Sequence, residues 1–133
     1  MSTVESLGEW GAGLGFEDVS KSVFQRARLQ LLHVSTLVDD APFDGCWRGF
    51  EKLAPRRGAA YLKGDKTTSA VFSARIHASR ASWSDRFDHV LGGPTGVGGV
   101  CAALSLAKRA SYGDLLTAIV VGNEVAGRVG ASM

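Results

Sequence analysis

A chain of 133 residues is the size of a single domain and can bury about two-thirds of its unfolded surface, enough for one core. Its hydrophobic fraction of 45%, charged fraction of 21% and net charge of +2 describe an ordinary globular composition. They exclude a strongly basic nucleic-acid binder and an acidic disordered tail. The longest strongly apolar run, Leu115 to Val121, is far below the ~18 residues of a membrane span, and the N-terminus carries no secretory signal pattern, so a cytoplasmic protein is expected. Cys46 and Cys101, the two cysteines, form neither a disulfide framework nor a Cys-x-x-Cys pair. Seventeen glycines are nearly twice the usual share, which in a helical protein points to close backbone approach or to mobile segments.

Apolar periodicity predicts a first helix over Thr3 to Leu14, with Val4, Leu7, Gly11 and Leu14 forming one buried stripe. After a polar turn at Phe16-Glu17-Asp18, Ser20 is the N-cap of a long second helix. Its stripe is Val23, Ala27, Leu31, Val34 and Val38, and Asp39, Asp40 and Pro42 end it. Phe43 to Leu53 reads as a short third helix carrying Trp47 and Phe50. Ala59 to Leu62 reads as one short extended segment followed by a turn. Thr67 or Thr68 is the expected cap of a fourth helix reaching Arg80. Ala81 to Gly93 is polar and irregular, with Trp83 and Phe87 among charges.

Helix resumes over Pro94 to Ala110. Val97, Cys101, Leu104 and Ala107 face one way, while Gly98, Gly99, Ala102 and Ala103 keep a thin face for a close neighbour. Ser111-Tyr112-Gly113-Asp114 has the form of a capping box with aspartate in place of glutamate. The sixth helix places Leu115, Ile119, Gly122, Ala126 and Val129 on one line, and Val120, Val121 and Val125 widen it. A helix apolar over so much of its girth expects neighbours on several sides. His33, among leucines, and Cys101, on an apolar stripe, read as structural. Gly98 and Gly99 lack the strand context of a phosphate cradle.

Several stretches, in order, resemble the MmgE/PrpD family of 2-methylcitrate dehydratase. They are Leu7-Gly8-Glu9-Trp10 with Phe16-Glu17-Asp18 and Arg26-Ala27-Arg28-Leu29, then Ala60-Tyr61-Leu62-Lys63-Gly64, and finally Asp114 through Gly130 with Asn123-Glu124-Val125-Ala126-Gly127-Arg128-Val129-Gly130. The resemblance covers about the first third of a typical member. It implies an all-α helical bundle with at most one short extended segment, a single domain over residues 1–133 that is incomplete without a partner chain.

The family's chemistry removes a proton beside a carboxylate and eliminates or moves a group, which needs a base, an acid and groups that hold an anion. Its histidine, Asp-rich run and His-Pro pair correspond here to the stretch from Ile76 to Thr95. Pro94 is present, but Gly93 stands where the histidine would be, so the site is degraded or rebuilt and ordinary methylcitrate dehydration is not expected. Asp88 and His89 are the expected base and partner, supported by Asp85 and His77. Arg86, Arg80, Thr95 and Trp83 are the expected substrate contacts. Alongside stand plainer readings: a solvated polar loop for Asp85 to His89, a packed histidine at 77, exposed salt bridges for the arginines, and a helix cap for Thr95. No metal or other cofactor is implied.

The leading expectation is a small subunit of a two-component enzyme, completed by a larger MmgE/PrpD-like chain and acting on a small anionic metabolite in a natural-product setting. The reaction would be elimination, isomerisation or ring closure with loss of a leaving group. The alternatives are a non-catalytic helical partner of the same larger chain, and a homodimer closing on its own sixth helix. Neither nucleic acid nor membrane is expected as a partner.

Overall fold

A computed structural model describes residues 2–42, 45, 47–55, 58, 60–61, 66–86, 96–106 and 109–132. Among these the fold is all-α: α1 (Thr3–Gly13), α2 (Lys21–Asp40), α3 (Trp47–Leu53), α4 (Ala70–Ala81), α5 (Val97–Leu106) and α6 (Tyr112–Ala131). Single 3₁₀ turns lie at Phe16–Asp18 and Ser82–Ser84. The one extended segment expected from sequence is instead half of a small antiparallel hairpin. β1 (Ala60–Tyr61) pairs with β2 (Thr67–Thr68) in the register Ala60 to Thr68 and Tyr61 to Thr67. Thr67 and Thr68 therefore do not cap α4. Their backbone is committed to the ladder, and Ser69 takes the N-cap position.

Local chemistry sets the helix starts. Ser20 Oγ accepts from the Val23 amide and opens α2. At α6, Ser111 Oγ accepts from the Asp114 amide while Asp114 accepts from the Ser111 amide at 3.0 Å, the reciprocal box read from the sequence. Ser2 and Glu5 make the same arrangement at α1.

The main core joins Phe24, Ala27, Val34, Leu37 and Val38 of α2 to Val97, Val100, Cys101 and Ala103 of α5 and to Leu115, Leu116 and Ile119 of α6. Burying each large apolar side chain here contributes roughly 1.5–3 kcal/mol. A second, smaller cluster under α3 holds Trp47, Ala41, Ala54 and Ile76. The buried face of α2 is turned by one residue from the expected stripe at its start. Val23 is 40% exposed and Phe24 points inward, because the Phe24 ring stacks on Phe16 with centroids 4.4 Å apart.

α5 packs most extensively against α4 and α6. The thin face expected of it is real at Gly99, which meets Gly122 of α6: a Cβ on Gly122 would come within 2.7 Å of the Gly99 Cα. Gly98, by contrast, faces open space. Gly96, just before α5, has φ of 92°, a conformation that favours glycine.

One expectation of burial fails. α1 contributes no buried residue, and Val4, placed on its inward stripe, is 79% exposed. The helix touches the bundle where Gly11 lies against Val121, and Leu7 and Leu14 of its stripe are half-buried. On α6, Leu115, Leu116, Thr117 and Ile119 are buried, whereas Val121, Val125, Ala126 and Val129 are not.

The glycine contacts give opposite expected outcomes for two substitutions. Gly122→Ala should destabilise the fold by about 1–3 kcal/mol through overpacking against the α5 backbone. Gly98→Ala should stabilise it by about 0.5–1 kcal/mol, since the methyl group meets nothing and helical propensity improves. Urea denaturation of the two variants against wild type measures both.

Candidate functional site

The polar segment expected to carry chemistry begins at the C-terminal end of α4. Ile76, His77, Arg80 and Ala81 are the buried residues of its last turns. The chain then tightens through the 3₁₀ turn to Asp85, whose φ of 52° and ψ of 28° are left-handed. Aspartate tolerates this region better than most residues, so the turn is permitted at modest cost.

Arg80 is held firmly. Its Nε donates to the Val38 carbonyl at 2.9 Å. That carbonyl is an orphan: the residue four positions on is Pro42, which has no N–H to offer. The guanidinium fills the missing place. Its carbon also lies 5.5 Å from the Trp47 ring centroid, and Nη1 is 4.0 Å from Glu51 at the protein surface. At 6% exposure, Arg80 joins α4 to the end of α2 and is enclosed rather than open to a dissolved anion.

Trp83 meets the same Trp47 edge-on, with centroids 5.6 Å apart, while much of its own ring remains exposed. Arg86 is exposed, and its backbone carbonyl accepts from His33 Nε2 at 2.9 Å. Because a carbonyl only accepts, this contact selects the His33 tautomer protonated on Nε2. His33 is thus an exposed tether between α2 and the turn, a structural role as read from the sequence. Asp85 is exposed beside it.

His77 is buried at 7% exposure, and its Nδ1 has no hydrogen-bond partner among the described residues. Burial lowers its pKa from the ordinary histidine value, the positive Arg80 lowers it further, and Asp39 acts in the opposite direction. The ring is therefore held neutral. Burial also pushes the Cys101 thiol up to about 12, which removes it as a nucleophile and agrees with its place in the core.

Of the expected site residues, the structure brings Arg80 and Trp83 together around Trp47 and sets Asp85 and Arg86 on the exposed side of the same turn. His77 lies on the buried face of α4. Asp88, His89 and Thr95 lie outside the described residues. Among the described residues there is no group of three or more His, Cys, Asp or Glu side chains placed to hold a metal ion. No helix among them is long and apolar enough to cross a membrane.

Set against family models, curated proteins and solved structures, the chain matches none of them.

The buried neutral histidine has a pH consequence. Its folded pKa lies below the unfolded value, so the unfolded chain binds the extra proton as pH falls. The contribution is fully present above the unfolded pKa of about 6.5 and is lost progressively on going below it. Wild-type stability should drop between pH 7.5 and pH 5 with a slope from this group of at most ~1.4 kcal/mol per pH unit. His77→Gln should be less stable at pH 7.5 but show a shallower fall, as read from urea midpoints across that range.

Proposed function

We propose that this chain is a small helical subunit of a two-component MmgE/PrpD-like enzyme, docked on a larger chain through the distal half of α6 and through α1. The observation that carries the reading is an apolar line on α6 that is half-buried at Val121 and Val125 and exposed at Val129. Val121, Val125 and Val129 recur every four residues on one side, and none is buried, with Val129 at 49% exposure. On the adjoining face, Arg128 pairs with Glu124 at 2.7 Å in solvent, so the amphipathic pattern continues along the distal turns of the helix. α1, whose Gly11 lies against Val121, adds exposed Val4 and Trp10. Large exposed apolar residues grouped at one end of a bundle mark interaction surfaces.

The reaction we assign to the assembled enzyme is elimination, isomerisation or ring closure with a departing group on a small anionic metabolite. The turn after α4 supports this through exposed Asp85 and Arg86 side chains beside half-open Trp83. Asp88 and His89 remain the assigned base and partner on the strength of the sequence resemblance alone. A specific observation favours a second reading, a non-catalytic partner of the same larger chain. Arg80 is enclosed by Val38, Trp47 and Glu51, and His77 faces inward, so two of the expected functional side chains carry structural tasks.

Co-expression with a larger MmgE/PrpD-like chain encoded beside this one should yield a one-to-one complex. Val129→Asp should weaken that complex at least about tenfold, the loss typical of an interface anchor. It should change the stability of the isolated chain by no more than about 0.5 kcal/mol, because the site is already half exposed. A stable monomer that never co-purifies would overturn the subunit reading, and a concentration-dependent dimer in sedimentation would replace it with self-association. Within the complex, loss of activity in Asp88→Ala/His89→Ala supports the catalytic reading, whereas full activity assigns the chain to scaffolding.

A further inference from the structure

A small number of contacts fixes the last turn of α4 and the chain that follows it. Arg80 Nε donates to the Val38 carbonyl, its guanidinium lies over Trp47, Trp83 meets Trp47 edge-on, and His33 donates to the Arg86 carbonyl. Of the residues from His77 to Arg86, only Ala78 and Ala81 belong to the apolar clusters, and each brings a single methyl group. Segments with few buried apolar contacts are the ones that open locally, at a lower free energy than the whole fold.

His77 sits at the inner edge of this segment. It and Arg80 stand three residues apart and so share one face of the helix. Both are almost wholly enclosed, at 7% and 6% exposure. Arg80 is always charged, and the Val38 carbonyl, the Trp47 ring and Glu51 at 4.0 Å surround its guanidinium. The His77 ring has no comparable surroundings, and its Nδ1 lies without a hydrogen-bond partner among the described residues. Burial acts on the ring first and Arg80 second, both against a proton, while Asp39 of α2 favours one with the smallest effect. α5, packed along α4, contributes only the Cys101 thiol as a titratable group, and that thiol stays neutral. A second positive charge is therefore poorly accommodated while the segment is closed. Once the segment opens, the ring meets water and takes up a proton at its ordinary value of about 6.5.

We propose that the segment from His77 to Arg86 is a proton-sensitive latch, opening locally as pH falls because the opened form accepts a proton on His77 that the closed form excludes. The opened form binds more protons, so opening is favoured progressively below the ordinary histidine value and is indifferent to pH above it. Between pH 7.5 and pH 5 the change in the opening equilibrium is at most on the order of thirtyfold, the limit for a closed ring that takes up no proton in that range. This opening is distinct from the global loss of stability, because α2, α5 and α6 stay packed while the end of α4 comes away. Trp83, Asp85 and Arg86 lose their fixed support when it happens. The consequence for catalysis rests on the subunit reading, whereas the opening itself does not.

The test is native-state amide hydrogen exchange of the isotopically labelled full chain at about pH 7.5, 6 and 5, corrected for intrinsic exchange. The amides of Arg80, Ala81 and Ser82 report the segment, that of Ser82 being bonded to the Ala78 carbonyl. The amides of Leu116 and Ile119, both buried in α6, report the core. The expected result is lower protection at the segment than at the core at every pH, with a further fall at the segment of about fivefold to thirtyfold from pH 7.5 to pH 5. His77→Gln should keep the lower protection of the segment and remove its pH dependence. Should that variant not fold, the wild type alone decides: segment amides protected as strongly as the core, or indifferent to pH, would each overturn the proposal. So would a His77→Gln chain that retains the wild-type fall, since another group would then carry the proton. The measurement uses this chain alone, so its failure is separate from a failure of co-purification.

Discussion

The contact between Gly99 and Gly122 sets the spacing on which the rest of the bundle rests. With no side chain on either glycine, the backbones of α5 and α6 come close enough that a single added carbon would collide. α5 is built for this approach and for little else. Its sequence, Val-Gly-Gly-Val-Cys-Ala-Ala-Leu-Ser-Leu, is poor in helix-stabilising side chains, and each interior glycine costs about 1 kcal/mol relative to alanine. Ten residues of such a sequence would not hold a helix alone. Burial of Val97, Val100, Cys101 and Ala103 against α2, α4 and α6 supplies what propensity lacks. α4 in turn lies close enough to α2 for Arg80 to reach the Val38 carbonyl, which fixes the start of the turn that follows α4.

That chain of dependence explains which features were legible in the sequence. Caps are local, and Ser20 and the Ser111–Asp114 box are where a reading of four consecutive residues puts them. The close face of α5 was visible as a run of small residues, although which glycine made the contact was not: Gly99 and Gly98 differ only in a rotation that α6 decides. The same rotation separates Val23 from Phe24: both stand at helical spacing from Ala27, and Phe24, stacked on Phe16, is the one buried. Thr67 and Thr68 looked like caps because threonine suits both roles, and the pairing that claims them comes from Ala60 and Tyr61, several residues earlier in the chain.

At the candidate site the limits of local reading are sharper. Arg80 has the chemistry to clamp a carboxylate, and nothing within several residues of it says otherwise. Its partner is a carbonyl 42 residues away, left open because Pro42 cannot donate to it. His33 shows the reverse case, a histidine among leucines that turns out to face the surface and hold the Arg86 carbonyl. Both contacts join α2 to the end of α4. Together they make the base of the turn rigid while Asp85 and Arg86 stay exposed on it, an arrangement suited to presenting polar side chains from a fixed support.

α6 completes the argument because it changes character partway along. Up to Ile119 it is a core helix, and at Gly122 it meets α5. At Asn123 its side chain donates to the Gln30 Oε1, and this polar contact marks the edge of the bundle. A self-contained helix would become polar all round beyond such an edge. Instead Val125, Ala126 and Val129 extend the apolar line, while Glu124 and Arg128 remain paired on the adjoining face. Val125 and Ala126 are half-buried and Val129 is exposed, so the described residues cover this line only in part. α1, crossing at Gly11 and Val121 with no buried residue of its own, has the same deficit. Isolated helices of its length are marginal in water even with a good cap. One additional surface laid over α1 and the distal turns of α6 would satisfy both at once, which is why a single partner accounts for them more simply than two separate explanations.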